Sequence, residues 1–488
     1  MSSILTNTSA MVALQTLRGT NSKLSMAQSE ISTGLRVASA KDNASVWAIS
    51  KVMDSDVKGF KGISDSLALG ESTITVARQA SETITNLLTD IKGKIVAAQE
   101  ENVDRNKIQT DINALRDQIN SVVNAAQFNG LNLLKGTQDV NILSSLDRAS
   151  DGSVTANNIT ISRVDMSTAA GVLGTGTDLS PNATLSATSA TNTGNSETVT
   201  FAADADMSNN VVSLTIGGAT LNYSAGQLSG DQDAAASQIT GDINALGLVG
   251  ITASVSANVI TLTSTRAFQD TTLAASGATA SASSIAQRSE SLTFSASAAV
   301  KQGDGYQVTV GSTAFTYVAG KGETFEDVAR GLKTAIDGGS LDGITTKVVK
   351  NSSNQWELRI DNNNATSVTL ARAGAEGGTA SGGLFGLDAI DVTTNAGADA
   401  ALSNIETLVS NSIDGAAQFG SAQGRIQIQR DFVSKLTDSL KTGIGTLIDA
   451  DMEEASARLQ ALQVQQQLGI QSLSIANKAP QAILALFR

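Results

Sequence analysis

The sequence contains no cysteine and no histidine. Without cysteine the chain can form no disulfide, and it offers no thiolate to a metal or a substrate. Without histidine it lacks the commonest general base and metal ligand, which excludes zinc-peptidase motifs of the His-Glu-x-x-His type. No serine–lysine or paired-carboxylate motif stands at a recognisable spacing. We therefore expect no enzyme, no cofactor and no metal site.

Long apolar runs and basic clusters are also missing. No apolar stretch approaches the length that spans a bilayer, so we expect no membrane segment. The net charge of −13 and the absence of a basic patch argue against nucleic acid as a partner. The first ten residues lack the pattern of a secretory signal peptide. We expect either a cytoplasmic protein or export by a route that does not require a cleaved signal.

Heptad spacing of apolar residues predicts helical arms at both ends of the chain. Only two prolines interrupt the sequence, so long helices are possible. In the C-terminal arm one seven-residue series is followed by a second, three residues later: Met452, Leu459, Gln466 and Leu473, then Ala455, Leu462, Gly469 and Ala476. The N-terminal arm carries Leu17, Leu24 and Ile31 at the same spacing, and Gly34 predicts a break after them.

These terminal seams contain glutamine, glycine and alanine, and they are too thin to hold an isolated helix in water. Each arm therefore needs a partner, which we expect to be the other arm. A longer helix of roughly 50 residues and a third helix follow the first arm, and the heptad returns after residue 398. The residues expected to form the core of this bundle are Phe60, Leu67, Ile74, Leu88, Ile112, Ile119, Phe419 and Ile426.

Between the arms the sequence changes character. Two short strands are expected near 141–143 and 158–161, joined by a turn at Asp151-Gly152. From 166 to 397 the chain is rich in Ser, Thr, Ala, Gly and Asn, and it contains an internal repeat. The segment 196–201 matches 289–294, and 223–226 matches 317–320. We interpret the insert as two tandem α+β modules, 166–285 and 286–397, with linkers at 186–196 and 273–288.

Three motifs resemble those of bacterial flagellins. They are the stretch from Ile31 to Asp42, the tetrapeptide 127–130, and the C-terminal stretch 476–488. The resemblance covers about 1–165 and 398–488. It implies a mostly α-helical coiled coil or bundle of paired N- and C-terminal arms, a small β-hairpin and an inserted β-rich region. Residues 1–43 and 447–488 would line a central channel, and 44–165 with 398–446 would form the tube wall.

The resemblance further implies a homopolymer that forms the extracellular flagellar filament and serves motility. Its expected partners are the type III export apparatus, a chaperone on the C-terminal arm, and the cap and hook-associated proteins. The residues expected to form the assembly seam are Leu17, Leu24, Ile31, Gly34, Arg36, Leu459, Leu462, Leu473, Ala476 and Arg488.

Two other functions remain open at this stage. A hook–filament junction protein would carry similar terminal arms, and a surface adhesin could use the 166–397 insert as its binding module.

One departure from the family pattern concerns a Toll-like receptor patch. Many flagellins carry Leu-Gln-Arg-x-Arg-Glu-Leu there, whereas this chain has 88–94 as Leu-Thr-Asp-Ile-Lys-Gly-Lys. We expect weak or no recognition by that receptor.

Overall fold

The computed structural model describes residues 7–149 and 153–486, with the side chains of Arg148 and 479–486 left out. Contacts divide the chain into two compact units. Unit 1 comprises Met1–Ser72, Asn141–Ile161 and Ala422–Arg488, and unit 2 comprises Thr73–Val140 and Ser162–Ser421.

Helices occupy both ends of the chain and two places in the middle. Their bounds are α1 Thr8–Thr33, α2 Ala44–Ala98, α3 Arg105–Ala125, α4 Gln232–Ala245, α5 Phe325–Gly338, α6 Asn395–Ile448 and α7 Met452–Leu486. The expected long helix is α2, which begins earlier than the heptad alone indicates. Polar side chains fix the helix starts: Asn7 accepts a hydrogen bond from the Ala10 amide, and Asp104 accepts one from the Lys107 amide.

The first strands form two hairpins. β1 Gln127–Phe128 pairs with β2 Leu131–Asn132 across Asn129-Gly130, whose φ angles of 50° and 81° suit a tight hairpin turn. β3 Val140–Arg148 and β4 Val154–Ile161 form the second two-stranded sheet. The expected turn at Asp151-Gly152 lies outside the described residues.

Sixteen further strands lie between residues 183 and 375. They are β5 Ala183–Leu185, β6 Ser189–Ala190, β7 Asn195–Thr200, β8 Val212–Ile216, β9 Ala219–Tyr223, β10 Ile251–Ser256, β11 Val259–Ser264, β12 Thr271–Ser276, β13 Thr279–Ala280, β14 Ser284–Ile285, β15 Glu290–Phe294, β16 Gly305–Val310, β17 Thr313–Val318, β18 Ile344–Lys350, β19 Trp356–Asn362 and β20 Val368–Ala375. They form four sheets of four strands each.

In unit 1 the β3–β4 hairpin packs against the first part of α2 and the last part of α6. Ile142 is buried, and a Cβ atom placed on Gly70 would overlap its side chain. The Gln429 amide donates to the Ser144 carbonyl over 2.9 Å. Arg430 forms an ion pair of 2.5 Å with Glu71. Gly70 therefore provides the space in which the hairpin sits on the helix.

In unit 2 the second part of α2 packs on α3 and the first part of α6. The contact between α2 and α6 includes two side-chain hydroxyls, those of buried Ser412 and half-buried Thr85. Ser412 Oγ lies 2.9 Å from Thr85 Oγ1 and 3.2 Å from the Ser81 carbonyl oxygen. Lys92 also reaches Glu406 at 2.5 Å. Satisfied hydroxyls let the two backbones approach closely without leaving an unpaired polar group.

The burial of the expected bundle-core residues can be compared directly. Phe60 is partly exposed. The other seven are at most 1% exposed, namely Leu67, Ile74, Leu88, Ile112, Ile119, Phe419 and Ile426.

Two separate hydrophobic cores lie within 166–397. Module A contains β7 to β14 with α4, and its core includes Phe201, Leu214 and Ile239. Module B contains β5, β6 and β15 to β20 with α5, and its core is built around Phe294, Tyr306 and Phe325. In module B the rings of Phe294 and Phe325 stack with centroids 5.3 Å apart.

The modules are nested rather than placed one after the other. β5 pairs with β15, and β6 pairs with β20, so both complete sheets of module B although they precede module A in the chain. The expected first range, 166–285, therefore includes two strands of the second module. The expected linkers at 186–196 and 273–288 also contain strand residues. Main-chain ladders need no particular side chains, so small polar residues could form strands there.

We predict opposite effects of alanine at two glycines of α2. Gly62→Ala meets open space and should raise the free energy of unfolding by about 0.5–1 kcal/mol, because glycine is costly inside a helix. Gly70→Ala should lower it by about 1–3 kcal/mol, because the methyl group overlaps Ile142. Thermal unfolding followed by circular dichroism measures both. Equal shifts at the two positions would contradict the proposed packing of the hairpin.

Candidate assembly interface at the terminal helices

Helices α1 and α7 of unit 1 lie side by side in opposite directions. Asn7 Nδ2 donates to the Ala476 carbonyl over 2.9 Å, and Gln466 Nε2 donates to Asn21 Oδ1 over 2.8 Å. The partner position thus moves toward the start of α7 as the chain proceeds along α1. Asn7 also caps α1, so one side chain both starts this helix and ties it to the other.

The seam between the two helices is narrow. Ala27 is 1% exposed, Ala455 5% and Leu462 6%. A Cβ atom on Gly469 would lie 3.1 Å from Leu17 Cδ1, so glycine brings the backbones close together. Gln466 occupies a position that an apolar residue would normally fill, and its bond to Asn21 satisfies the amide. A polar pair in such a seam fixes the register at some cost in stability.

The helices break at matching points. α1 ends at Thr33, and Gly34 adopts the left-handed conformation with a φ of 70°. Opposite it lies the gap between α6 and α7. The Ala450 amide donates to the Gly34 carbonyl over 3.0 Å, and the Arg36 amide donates to the Ile448 carbonyl over 2.7 Å. The Arg36 guanidinium adds a bond of 2.9 Å to the Leu447 carbonyl. The break predicted at Gly34 is therefore a joint between both arms.

A tight turn connects this joint to α2. The Ser39 amide and hydroxyl donate to the Asp42 carboxylate over 2.9 and 3.0 Å. The Ser39 backbone bond holds the pKa of Asp42 below its ordinary value. Asn43 Oδ1 then accepts from the Val46 amide over 3.2 Å at the start of α2. The amide oxygen of Asn43 thus caps the start of α2.

The structure places the expected seam residues as follows. Leu462 is buried, and Arg36 is exposed with its bond to Leu447. Arg488 lies outside the described residues. The remainder are partly buried, namely Leu17, Leu24, Ile31, Gly34, Leu459, Leu473 and Ala476.

The sequence reasoning missed a second apolar face on α7. Val464, Leu468 and Ile475 are spaced by four and seven residues, so they share one side of the helix. They are 55%, 55% and 70% exposed, and they are not part of the seam with α1. On α1, Met11 and Val12 are 65% and 63% exposed. Searching each helix for a second apolar period, beyond the one heptad, would have revealed this face.

In the part of the chain that the structure describes, no group of three or more carboxylates could hold a metal ion. None of the described helices is long and apolar enough to cross a membrane. A cleft of about 400 Å³ in unit 2 is lined by Arg163, Lys321, Glu323 and Asp414, among others. Lys321 is paired with Asp139 at 2.8 Å. Among the described residues, the pair of terminal helices α1 and α7 is therefore the feature that we take as the candidate functional site.

Comparison with known proteins agrees with this architecture. The family model for the bacterial flagellin N-terminal helical region matches residues 4–139, and that for the C-terminal helical region matches 402–487. Flagellin A of Rhizobium meliloti is 31% identical over 494 residues, covering 100% of both proteins. Flagellin B of the same organism is 32% identical over 493 residues with the same coverage. The chain belongs to the bacterial flagellin family.

Flagellins are structural proteins, and this flagellin is a subunit of the extracellular bacterial flagellar filament that serves motility. Among solved structures, a flagellar hook associated protein-3 from Legionella pneumophila is 8% identical. The match covers 81% of this chain and 98% of that one with a TM-score of 0.33.

We predict that Gly34→Ala loosens the joint between the arms of this flagellin. The left-handed conformation costs a residue with a Cβ atom about 1–2 kcal/mol. The amides of Arg36 and Ala450 should therefore exchange with solvent faster, as measured by hydrogen–deuterium exchange. The matched control is Gly19→Ala inside α1, where the added methyl group meets open space and should slow exchange in the helix. Unchanged exchange at Arg36 in Gly34→Ala would contradict the prediction.

Proposed function

We propose that the terminal helices of this flagellin drive its polymerisation, with the second apolar face of α7 as a contact between subunits. The exposure of Val464, Leu468 and Ile475 carries the proposal. Large apolar side chains that share one exposed side of a helix are candidates for a surface that another protein covers. Lys478 is the only charged residue between Gln460 and Phe487, so little charge would have to lose its hydration on contact.

The thin seam supports a coupling of folding to assembly. A pair of helices whose fully buried residues are mostly alanine, with Leu462 as the one fully buried leucine named above, is marginal alone, and packing against neighbouring subunits would add the missing burial. Arms that stay loose before assembly would also suppress premature polymerisation. A contact that joins one surface to a different surface of the next copy does not close, and it produces an open helical filament.

The finer arrangement belongs to the same proposal. Residues 1–43 with 447–488 would form a coiled coil that lines the central channel, and 44–165 with 398–446 would form the wall. The β-rich region of 166–397 would face solvent. Before assembly the chain would meet the flagellar export apparatus and a chaperone that covers the C-terminal arm. At the filament ends it would contact cap and hook-associated proteins.

Seeded polymerisation imaged by electron microscopy tests the proposal. Leu468→Ser and Ile475→Ser, made together, should leave the α1–α7 seam intact and reduce filament growth strongly. A chain that ends at Leu468 should not grow. The matched control is Val249→Ser, which removes a valine that is 85% exposed in the β-rich region, and growth should be unchanged. Full growth of the double variant would refute the assignment of this face.

Two further outcomes separate the alternatives. If the truncated chain grows as well as the full chain, the last helix is not coupled to assembly. If the full chain grows on no flagellar seed, a role at the hook–filament junction is favoured instead.

We also propose weak or absent activation of the Toll-like receptor that recognises many flagellins. Asp90 stands where the first arginine of the recognised patch would be, and it is exposed on α2. Reversing the charge of an interface arginine costs several kcal/mol when that arginine is buried in the contact. A reporter-cell assay beside an enteric flagellin measures the response. An equal response would refute the proposal, and Asp90→Arg should raise a weak one.

A further inference from the structure

Helices α4 and α5 occupy equivalent places in modules A and B, because the repeat places them 93 residues apart (325 − 232 = 93). On the face toward its own sheets each helix buries a similar apolar row. In α5 this row includes Val328, Leu332 and Ile336, all at most 1% exposed. The corresponding residues of α4 are likewise buried, and they are Ala235, Ile239 and Ile243. The two modules therefore hold their helices in the same way.

The opposite faces of the two helices differ. Thr334 of α5 is 4% exposed, and a Cβ atom on Gly386 would overlap its side chain. A Cβ atom on Gly338 would lie 2.7 Å from that of Ala389. The segment after β20 thus covers this face of α5. At the positions of α4 that correspond to Thr334 and Gly338, Gly241 and Ala245 are exposed.

The covered face of α5 contains a buried polar cluster. Lys333 Nζ lies 2.5 Å from Asp337 Oδ2 and donates to Asn404 Oδ1 over 2.9 Å. The side chains of Lys333 and Asp337 are only 8% and 7% exposed. Thr346 of β18 donates to the other carboxylate oxygen of Asp337 over 2.5 Å. Asn404 belongs to α6, so the cluster joins module B to a helix outside the module.

Module A folds without such a cluster. Thr240 stands in place of Lys333 and donates to the Ala236 carbonyl within its own helix over 2.8 Å. Asn244 stands in place of Asp337, and its amide makes two bonds of 2.9 Å with the backbone of Ala253. All these bonds are local. A buried lysine and aspartate are therefore not a requirement of this module fold.

We propose that Lys333, Asp337 and Asn404 form a docking lock that fixes module B on α6. A buried ion pair is a poor source of stability, since desolvation offsets most of the attraction, but it tolerates only one geometry. Lys333 has two recorded acceptors, Asp337 and Asn404, and it keeps the second one only while α6 is in place. A second anchor lies one heptad further along α6, where Asn411 Nδ2 donates to the Gly383 carbonyl over 2.9 Å. Lys333 and Asp337 act here as positioning residues.

The repeat itself supplies the test. In the full chain, Lys333→Thr and Asp337→Asn, made together, install the residues of module A. Hydrogen–deuterium exchange of the segment 376–394, which covers α5, should become at least about tenfold faster. Exchange in β16 and β19, inside module B, should stay as in the parent chain. Limited proteolysis should show the same selectivity for 376–394.

Three results would overturn the lock. If exchange in β16 and β19 accelerates as much as in 376–394, the cluster stabilises the core of module B and not its attachment to α6. If exchange accelerates in none of these segments, the cluster is not needed to hold module B on α6. Because the double variant could fail to fold, Asn404→Ala is tested beside it: this residue lies on α6, outside the module. The Asn404→Ala variant should also speed exchange in 376–394 and leave β16 protected, and a lack of effect would refute the proposal.

The control is Arg330→Gln, which removes an i,i+4 ion pair with Glu326 in which both side chains are 36% exposed. The test concerns the monomer and does not depend on filament assembly.

Discussion

The interaction on which the structure of this flagellin depends is the pairing of its two terminal helices. α1 and α7 share a narrow seam of alanine, glycine and leucine, and Val464, Leu468 and Ile475 on a further side of α7 are more than half exposed among the described residues. Hydrophobic burial is the main favourable term in folding. Because the seam between the two helices is narrow, the proposed contacts with neighbouring subunits would supply the burial that this pair lacks alone.

Much of the fold could be predicted from the sequence, because helices repeat every 3.6 residues and leave a strong apolar period. The long helix α2, the break at Gly34 and the change to strands after residue 140 all follow from local patterns. The nested order of the strands did not, since the strands within 183–190 are only three and two residues long and consist mostly of Ala, Ser and Thr. The pattern of apolar and polar residues in these strands does not indicate which sheet they join. The second face of α7 was missed because one heptad seam already explained the helix.

The two copies of the repeat show how one small fold adapts to two surroundings. The apolar face toward the sheets is preserved in α4 and α5, because each core requires it. The other face varies with what lies beyond: small exposed residues in α4, and a lysine, an aspartate and buried contacts in α5. Sequence comparison within a single chain thus separates residues that build a module from residues that attach it. Such a division is normally obtained only by comparing different proteins.

The pairing of β5 with β15 and of β6 with β20 has a consequence for variation at the surface. The chain leaves module B after residue 190 and returns to it at residue 290, and module A occupies the interval. Module A is thus an insertion in the connection between β6 and β15 of module B. Loops tolerate insertions well, because the entropy of closing them grows slowly with length. Module A can therefore be lost, lengthened or exchanged for another domain, while module B keeps all of its strands.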